Sequence, residues 1–115
     1  MNICVLQGIT VGEPRVAELP SGQWAVTFDV RTQLDGTPAR SVPVEWTGPK
    51  RSIPKIEADM PVAVTGSLDR RFYRASGSIQ TRVFVRPEKI VVRQLKRQKT
   101  TIQRALAAGL ELPER

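Results

Sequence analysis

Residues 60–92 read Met60-Pro-Val-Ala-Val-Thr-Gly-Ser-Leu-Asp-Arg-Arg-Phe-Tyr-Arg-Ala-Ser-Gly-Ser-Ile-Gln-Thr-Arg-Val-Phe-Val-Arg-Pro-Glu-Lys-Ile-Val-Val92. Two long extended runs flank Ala75-Ser76-Gly77, a three-residue turn containing the glycine that hairpin connections favour. Val62, Val64, Gly66 and Leu68 share one parity, so the first arm has one apolar face. The same arm then runs into Arg70, Arg71, Tyr73 and Arg74. A packed strand thus continues past its core as a charged, aromatic finger, a composition suited to a polyanion lying against it.

Outward from this hairpin, the 115 residues suit one compact domain. Nine prolines and eight glycines favour short elements over long helices. No stretch reaches membrane-span length, and the N-terminus enters a strand pattern without a signal peptide. These features predict a cytoplasmic site and no membrane partner. A single cysteine, Cys4, has no partner for an internal disulfide, and there is no histidine. Cys4 reads as a small buried hydrophobe.

The net charge of +7 is unevenly placed. Residues 70–104 hold eleven Lys or Arg and one acid, Glu88, while residues 1–69 hold six basic and eight acidic residues. Such a concentrated field draws polyanions, nucleic acid among them.

In chain order, Asn2 to Thr10 is a nearly continuous apolar strand, either buried on both sides or paired with a second subunit. Gly12-Glu13-Pro14 breaks it, and Arg15 to Leu19 is a short extended piece. Pro20-Ser21-Gly22 signals a turn. Trp24 to Thr32 alternates, with Trp24, Val26, Phe28 and Val30 on one face. After a loop at Gln33–Ala39, Arg40 to Thr47 is a third strand in which Pro43 marks an edge or bulge. Lys50 to Asp59 fits one or two helical turns with Ile53, Ile56 and Met60 inward. The hairpin follows. Beyond it, Thr100 or Thr101 can cap a helix running to Ala108, with Gly109 as its stop. The expectation is an all-β, five-stranded OB-fold Greek-key barrel (residues 1–93). A short helix separates strands 3 and 4, and a basic, partly helical extension covers residues 94–115. An SH3-like barrel explains the strands but not the helix position.

The chain resembles the bacterial single-stranded DNA-binding protein family. The resemblance is carried by Asn2-Ile-Cys-Val-Leu-Gln-Gly8, Gly12-Glu-Pro14, and Pro20-Ser-Gly22 leading into Val26-Thr-Phe28-Asp-Val30. Val62-Ala-Val-Thr-Gly66-Ser-Leu68 and Arg70-Arg-Phe-Tyr-Arg74 complete it. It covers residues 2–92 and is strongest to short actinobacterial members. It implies an OB-fold that binds single-stranded DNA without sequence preference, as a homo-oligomer (tetramer or dimer) joined through its first strand. By position, Trp46 and Tyr73 match base-stacking aromatics and Arg71 a basic DNA contact. Three departures stand out. The loop Gln33–Ala39 is short and lacks an aromatic, and the helix after strand 3 is truncated by Pro54. The chain also ends Leu110-Glu-Leu-Pro-Glu-Arg115, without the family's acidic, aromatic tip. Recruitment of repair enzymes by such a tip is therefore not expected, and a specialised paralogue is.

Single-strand binding needs cations for phosphates and flat rings for exposed bases. Tyr73 lies on the parity opposite Leu68, away from the core, and is the first stacking candidate. Phe72 shares the core parity and should pack. Trp46 shares a face with Val42 and Val44, so parity argues for core where the resemblance argues for stacking. Trp24 either packs over the barrel end or touches a base, and Phe84, opposite Val83 and Val85, reads as an exposed platform or a subunit contact. Arg70, Arg71, Arg74, Arg82 and Arg86 are the phosphate candidates, with Lys50 beyond the hairpin; Lys96, Arg97 and Lys99 either extend the track or form a soluble tail. Like charges crowded on one hairpin repel unless countered. Catalysis is not expected: there is no metal-ligand cluster and no glycine-rich phosphate loop, and neither cofactor nor metal is predicted. Asp69 and Glu45, the nearest thing to a carboxylate pair, read as surface residues. The rival readings are an OB-fold subunit that docks on another replication or primosome-type protein, and an RNA-binding OB protein using the same stacking physics.

Overall fold

The computed structural model describes residues 1–33 and 36–92. Five strands, β1 (Cys4–Glu18), β2 (Trp24–Thr32), β3 (Arg40–Gly48), β4 (Pro61–Ala75) and β5 (Ser78–Val92), close a barrel in the order β1-β2-β3-β5-β4. This is the OB-fold. All neighbours are antiparallel except β3 and β5, which run parallel and meet at one bridge, Val44 to Val85.

The alternation in the sequence sets the core. Val26, Phe28 and Val30 of β2, Val44 of β3, Val62 and Val64 of β4 and Val85 of β5 enclose it, joined by Leu6 and Ile56. β-Branched valines suit this interior because they hold one rotamer against a pleated surface. Pro43 is accommodated beside the sparse β3–β5 seam, where the ladder offers a proline N-position little to bond.

Several details differ from the sequence expectation. β1 does not stop at Gly12-Glu13-Pro14. It pairs with β4 from Cys4 to Ile9 and with β2 from Ile9 to Glu18, the second ladder carrying a register shift between Val11 and Arg15. The expected helix after β3 shrinks to a single 3-10 turn at Lys50–Ser52, because Ile53 precedes Pro54 and is held extended. The rest of that connection is irregular, yet it buries Ile56 and is clamped to β1. Thr10, fully buried, donates its hydroxyl to the Glu57 carbonyl and accepts the Met60 N–H at 2.8 Å. The hairpin turn has two residues rather than three. Ala75 pairs with Ser78, and Ser76 (φ 51°) and Gly77 (φ 79°) both have positive φ, as a turn matched to the right-handed strand twist requires. Gly66 marks a bulge opposite Pro87, where a Cβ would come within 2.1 Å of the Arg86 carbonyl oxygen.

Backbone pairing of β4 with β1 ends at Gly66 opposite Cys4. The Asn2 side chain adds one more rung, donating to the Leu68 carbonyl at 2.7 Å and accepting the Leu68 N–H at 2.9 Å. From Asp69 onward β4 pairs with β5 alone. The proposed helix between Thr101 and Ala108, and Lys96, Arg97 and Lys99, lie outside the described residues.

Candidate nucleic-acid interface

Where the hairpin leaves the barrel, its odd-numbered β4 residues face back over β1, β2 and β3. Arg71 and Tyr73 of β4 and Arg82 of β5 line a groove of about 410 Å³ with Arg15 of β1, Thr27 of β2 and Glu45 of β3. Tyr73 is 43% exposed. Its hydroxyl donates to Gln80 Oε1 at 3.1 Å on the neighbouring strand, which fixes the ring without covering it.

The groove is less basic than the hairpin's sequence suggests, because acids on the barrel answer the arginines. Arg71 Nη2 lies 2.7 Å from Oε1 of the buried Glu45. Arg82 is 3.8 Å from Asp29 Oδ1. Arg86 binds Asp69 through Nη2, and its Nε donates to Oδ2 at 3.1 Å. The Arg86 hydrogen bond, followed by that of the Arg70 backbone N–H, holds the Asp69 carboxyl below its ordinary pKa. Arg15 has no such partner among the described residues. Arg71, Arg82 and Arg86 are thus each countered by a carboxylate, which the sequence alone did not show. Glu45 and Asp69, far from forming a carboxylate pair, each serve a different guanidinium.

Phe84 corrects a further expectation. It is on the outer parity, as predicted, but only 3% exposed, so it is not an open platform. Arg71 and Arg86 both lie over its ring, with Cζ 5.3 Å and 5.7 Å from the centroid. The ring supports two guanidinium groups, each also bonded to a carboxylate, and it is those groups that meet solvent.

The remaining candidates are not brought to this groove. Trp46 follows its parity with Val44 and packs against the core, its ring against the Gly48 backbone. Its side chain is half-buried there. Trp24 is half-buried on the core parity at the barrel end, with Lys50 Nζ 5.4 Å above its ring. Arg70 and Arg74 project from the opposite side of the hairpin, since they share the parity of Val62 and Val64. Phe72 lies with them and is 66% exposed, not packed as its parity suggested. The core ends before strand β4 does. Arg15, Thr27 and Asp29 were missed because reaching them requires the β1–β2 register. For Arg15 that register depends on the shift after Val11, which no local pattern announces. Cys4 is half-buried, and desolvation pushes its thiol pKa up.

No family model matches the chain, and no curated protein matches it in sequence. Solved structures do match. An SSB from Plasmodium falciparum, in complex with ssDNA, superposes with a TM-score of 0.67 at 16% identity, over 82% of this chain and 96% of that one. The N-terminal domain of a PriB protein from Thermoanaerobacter tencongensis, described as dimeric, gives 0.62 at 17% identity, over 82% and 98%. These likenesses establish a shared OB barrel. Among the described residues no helix is long and apolar enough to cross a membrane.

Proposed function

We propose that this protein binds single-stranded DNA without strong sequence preference, laying the strand in the groove beneath the β4–β5 hairpin. The observation that carries this reading is the placement of the exposed Tyr73 ring in one groove with Arg15, Arg71 and Arg82. Tyr73 offers a face to a base. Arg71 and Arg86, held over Phe84, offer guanidinium groups for bases and phosphates. A duplex keeps its base faces inside and cannot use these surfaces. The OB barrel of an SSB in complex with ssDNA is a compatible precedent.

The protein acts as a homo-oligomer in DNA replication, recombination or repair, in the cytoplasm. Its subunits join through the N-terminal strand, where Ile3 just before β1 and Ile9 and Val11 within it remain exposed on one parity. The dimeric PriB domain is in keeping with such an assembly.

Equilibrium titration with oligo-dT against duplex of equal length tests the reading. Single strands should bind more tightly, and Tyr73→Ala should weaken oligo-dT binding by about 5- to 150-fold, the equivalent of about 1–3 kcal/mol for one stacked base. Equal affinity for duplex, or an unchanged Y73A variant, would refute it.

A further inference from the structure

The side of the hairpin turned away from the groove carries its own set of residues. Leu68, Arg70, Phe72 and Arg74 of β4 stand beside Ile79 and Val83 of β5, since Arg70 pairs with Val83 and Arg74 with Ile79. In the barrel this parity is core, and Val62 and Val64 are sealed. Past Leu68 the barrel no longer covers it, and Phe72 and Ile79 stand 66% and 69% exposed.

Two facts fix what fits this face. The first is its charge. Arg71, Arg82 and Arg86 on the groove side each have a carboxylate, whereas Arg70 and Arg74 have none among the described residues. The second is the arrangement. Arg70 and Arg74 flank Phe72 at two residues on either side, so an exposed ring sits midway along a track of about 13 Å between unpaired guanidinium groups. A second copy laid against this face would bring four unpaired arginines together, which disfavours it. An aliphatic partner would bury the arginines without answering them. A polyanion with flat, apolar faces satisfies ring and charge together.

We infer that the reverse face of the hairpin, centred on Phe72 between Arg70 and Arg74, is a second contact surface for single-stranded nucleic acid, so that a bound strand passes around the hairpin rather than along one side. This rests on the function proposed above and extends it from one groove to a wrapped path. A short strand occupies the groove; only a longer one reaches Phe72.

The test compares the full chain with Phe72→Ala, the double variant R70Q/R74Q, and Tyr73→Ala. Each is titrated with oligo-dT of about 5 and about 16 nucleotides, the span an OB barrel covers, across a range of salt. Circular dichroism checks that each variant is folded. For the long strand, F72A should weaken binding about 5- to 150-fold. R70Q/R74Q should flatten the slope of log Kobs against log salt by about 1.4, for two lost phosphate contacts. For the short strand both should stay within twofold of the parent, while Y73A weakens both lengths. Phe72→Trp should show quenched emission with the long strand and not the short one. If F72A and R70Q/R74Q bind the long strand like the parent while Y73A does not, the second surface is refuted and the groove stands. If Y73A also binds normally, both readings fall. If F72A alters the sedimenting mass and leaves binding intact, the face is a protein contact and the inference is overturned.

Discussion

Glu45 controls how much of Arg71 the groove can offer. The buried carboxylate holds one guanidinium at 2.7 Å and thereby aligns it over Phe84. It also competes with any phosphate for the same N–H groups. Glu45→Gln keeps the shape and a hydrogen-bond acceptor but removes the charge. We expect oligo-dT affinity to rise at low salt, with the salt slope steeper by about 0.7 as one more phosphate is engaged; titrations at several salt concentrations read both. Asp69 gives a pH-dependent counterpart. Its folded-state pKa is lowered by Arg86 and the Arg70 N–H. The resulting stabilisation is complete above the ordinary carboxylate pKa and is lost as pH falls through the lower, folded value. Asp69→Asn should therefore lower the melting temperature at pH 7, and the gap from the parent should close at acidic pH. A gap that does not shrink as pH falls below the ordinary carboxylate range would mean the charge is not its source. At this scale the sequence was a partial guide. Tyr73 could be placed outside the barrel by parity, since strand alternation is local. Phe84 could not be placed, because its burial comes from the arginines folded over it and held by Asp69 and by Glu45 on β3.

At the scale of elements, the barrel closes through a narrow seam. β3 and β5 share the Val44–Val85 bridge, and both side chains are fully buried. Val85→Ala removes two methyl groups from that seam, at about 0.8 kcal/mol each plus the cavity left behind. The expected loss is about 2 kcal/mol, measured from the urea midpoint at unchanged slope. Residues 24–32 and 60–75 revealed their strands because period-two alternation survives any tertiary context. The connection from Lys50 to Asp59 was misread as helix because its apolar spacing fits one. Pro54 and the bonds from Thr10 hold it open instead. β1 was read as two pieces for the opposite reason. Glycine and proline signal a break, and here they mark a shift in register within one strand.

At the scale of the molecule, apolar side chains stand exposed among the described residues both beside Phe72 and near the start of the chain, with different chemistry around them. Beside Phe72 stand Arg70 and Arg74, which have no carboxylate partner among the described residues. Ile3, just before β1, and Ile9 and Val11 on it are exposed with no arginine in the chain before Arg15, a setting that suits a second subunit. Ile9→Glu should convert the oligomer to monomer in sedimentation, because a buried, unpaired carboxylate at that contact is costly. Oligo-dT binding per chain should survive in the short strand. Asn2 has a consequence that reaches across the whole structure. Its amide stands in for a peptide group and makes the last rung between β4 and the start of the chain. Beyond Leu68 the hairpin is tied to the barrel through side chains, Arg71 to Glu45 and Arg82 to Asp29, so the angle at which it leaves β1 sets the gap that holds Tyr73. One side-chain amide at the very start of the chain thus sets the gauge of a cleft built by its middle.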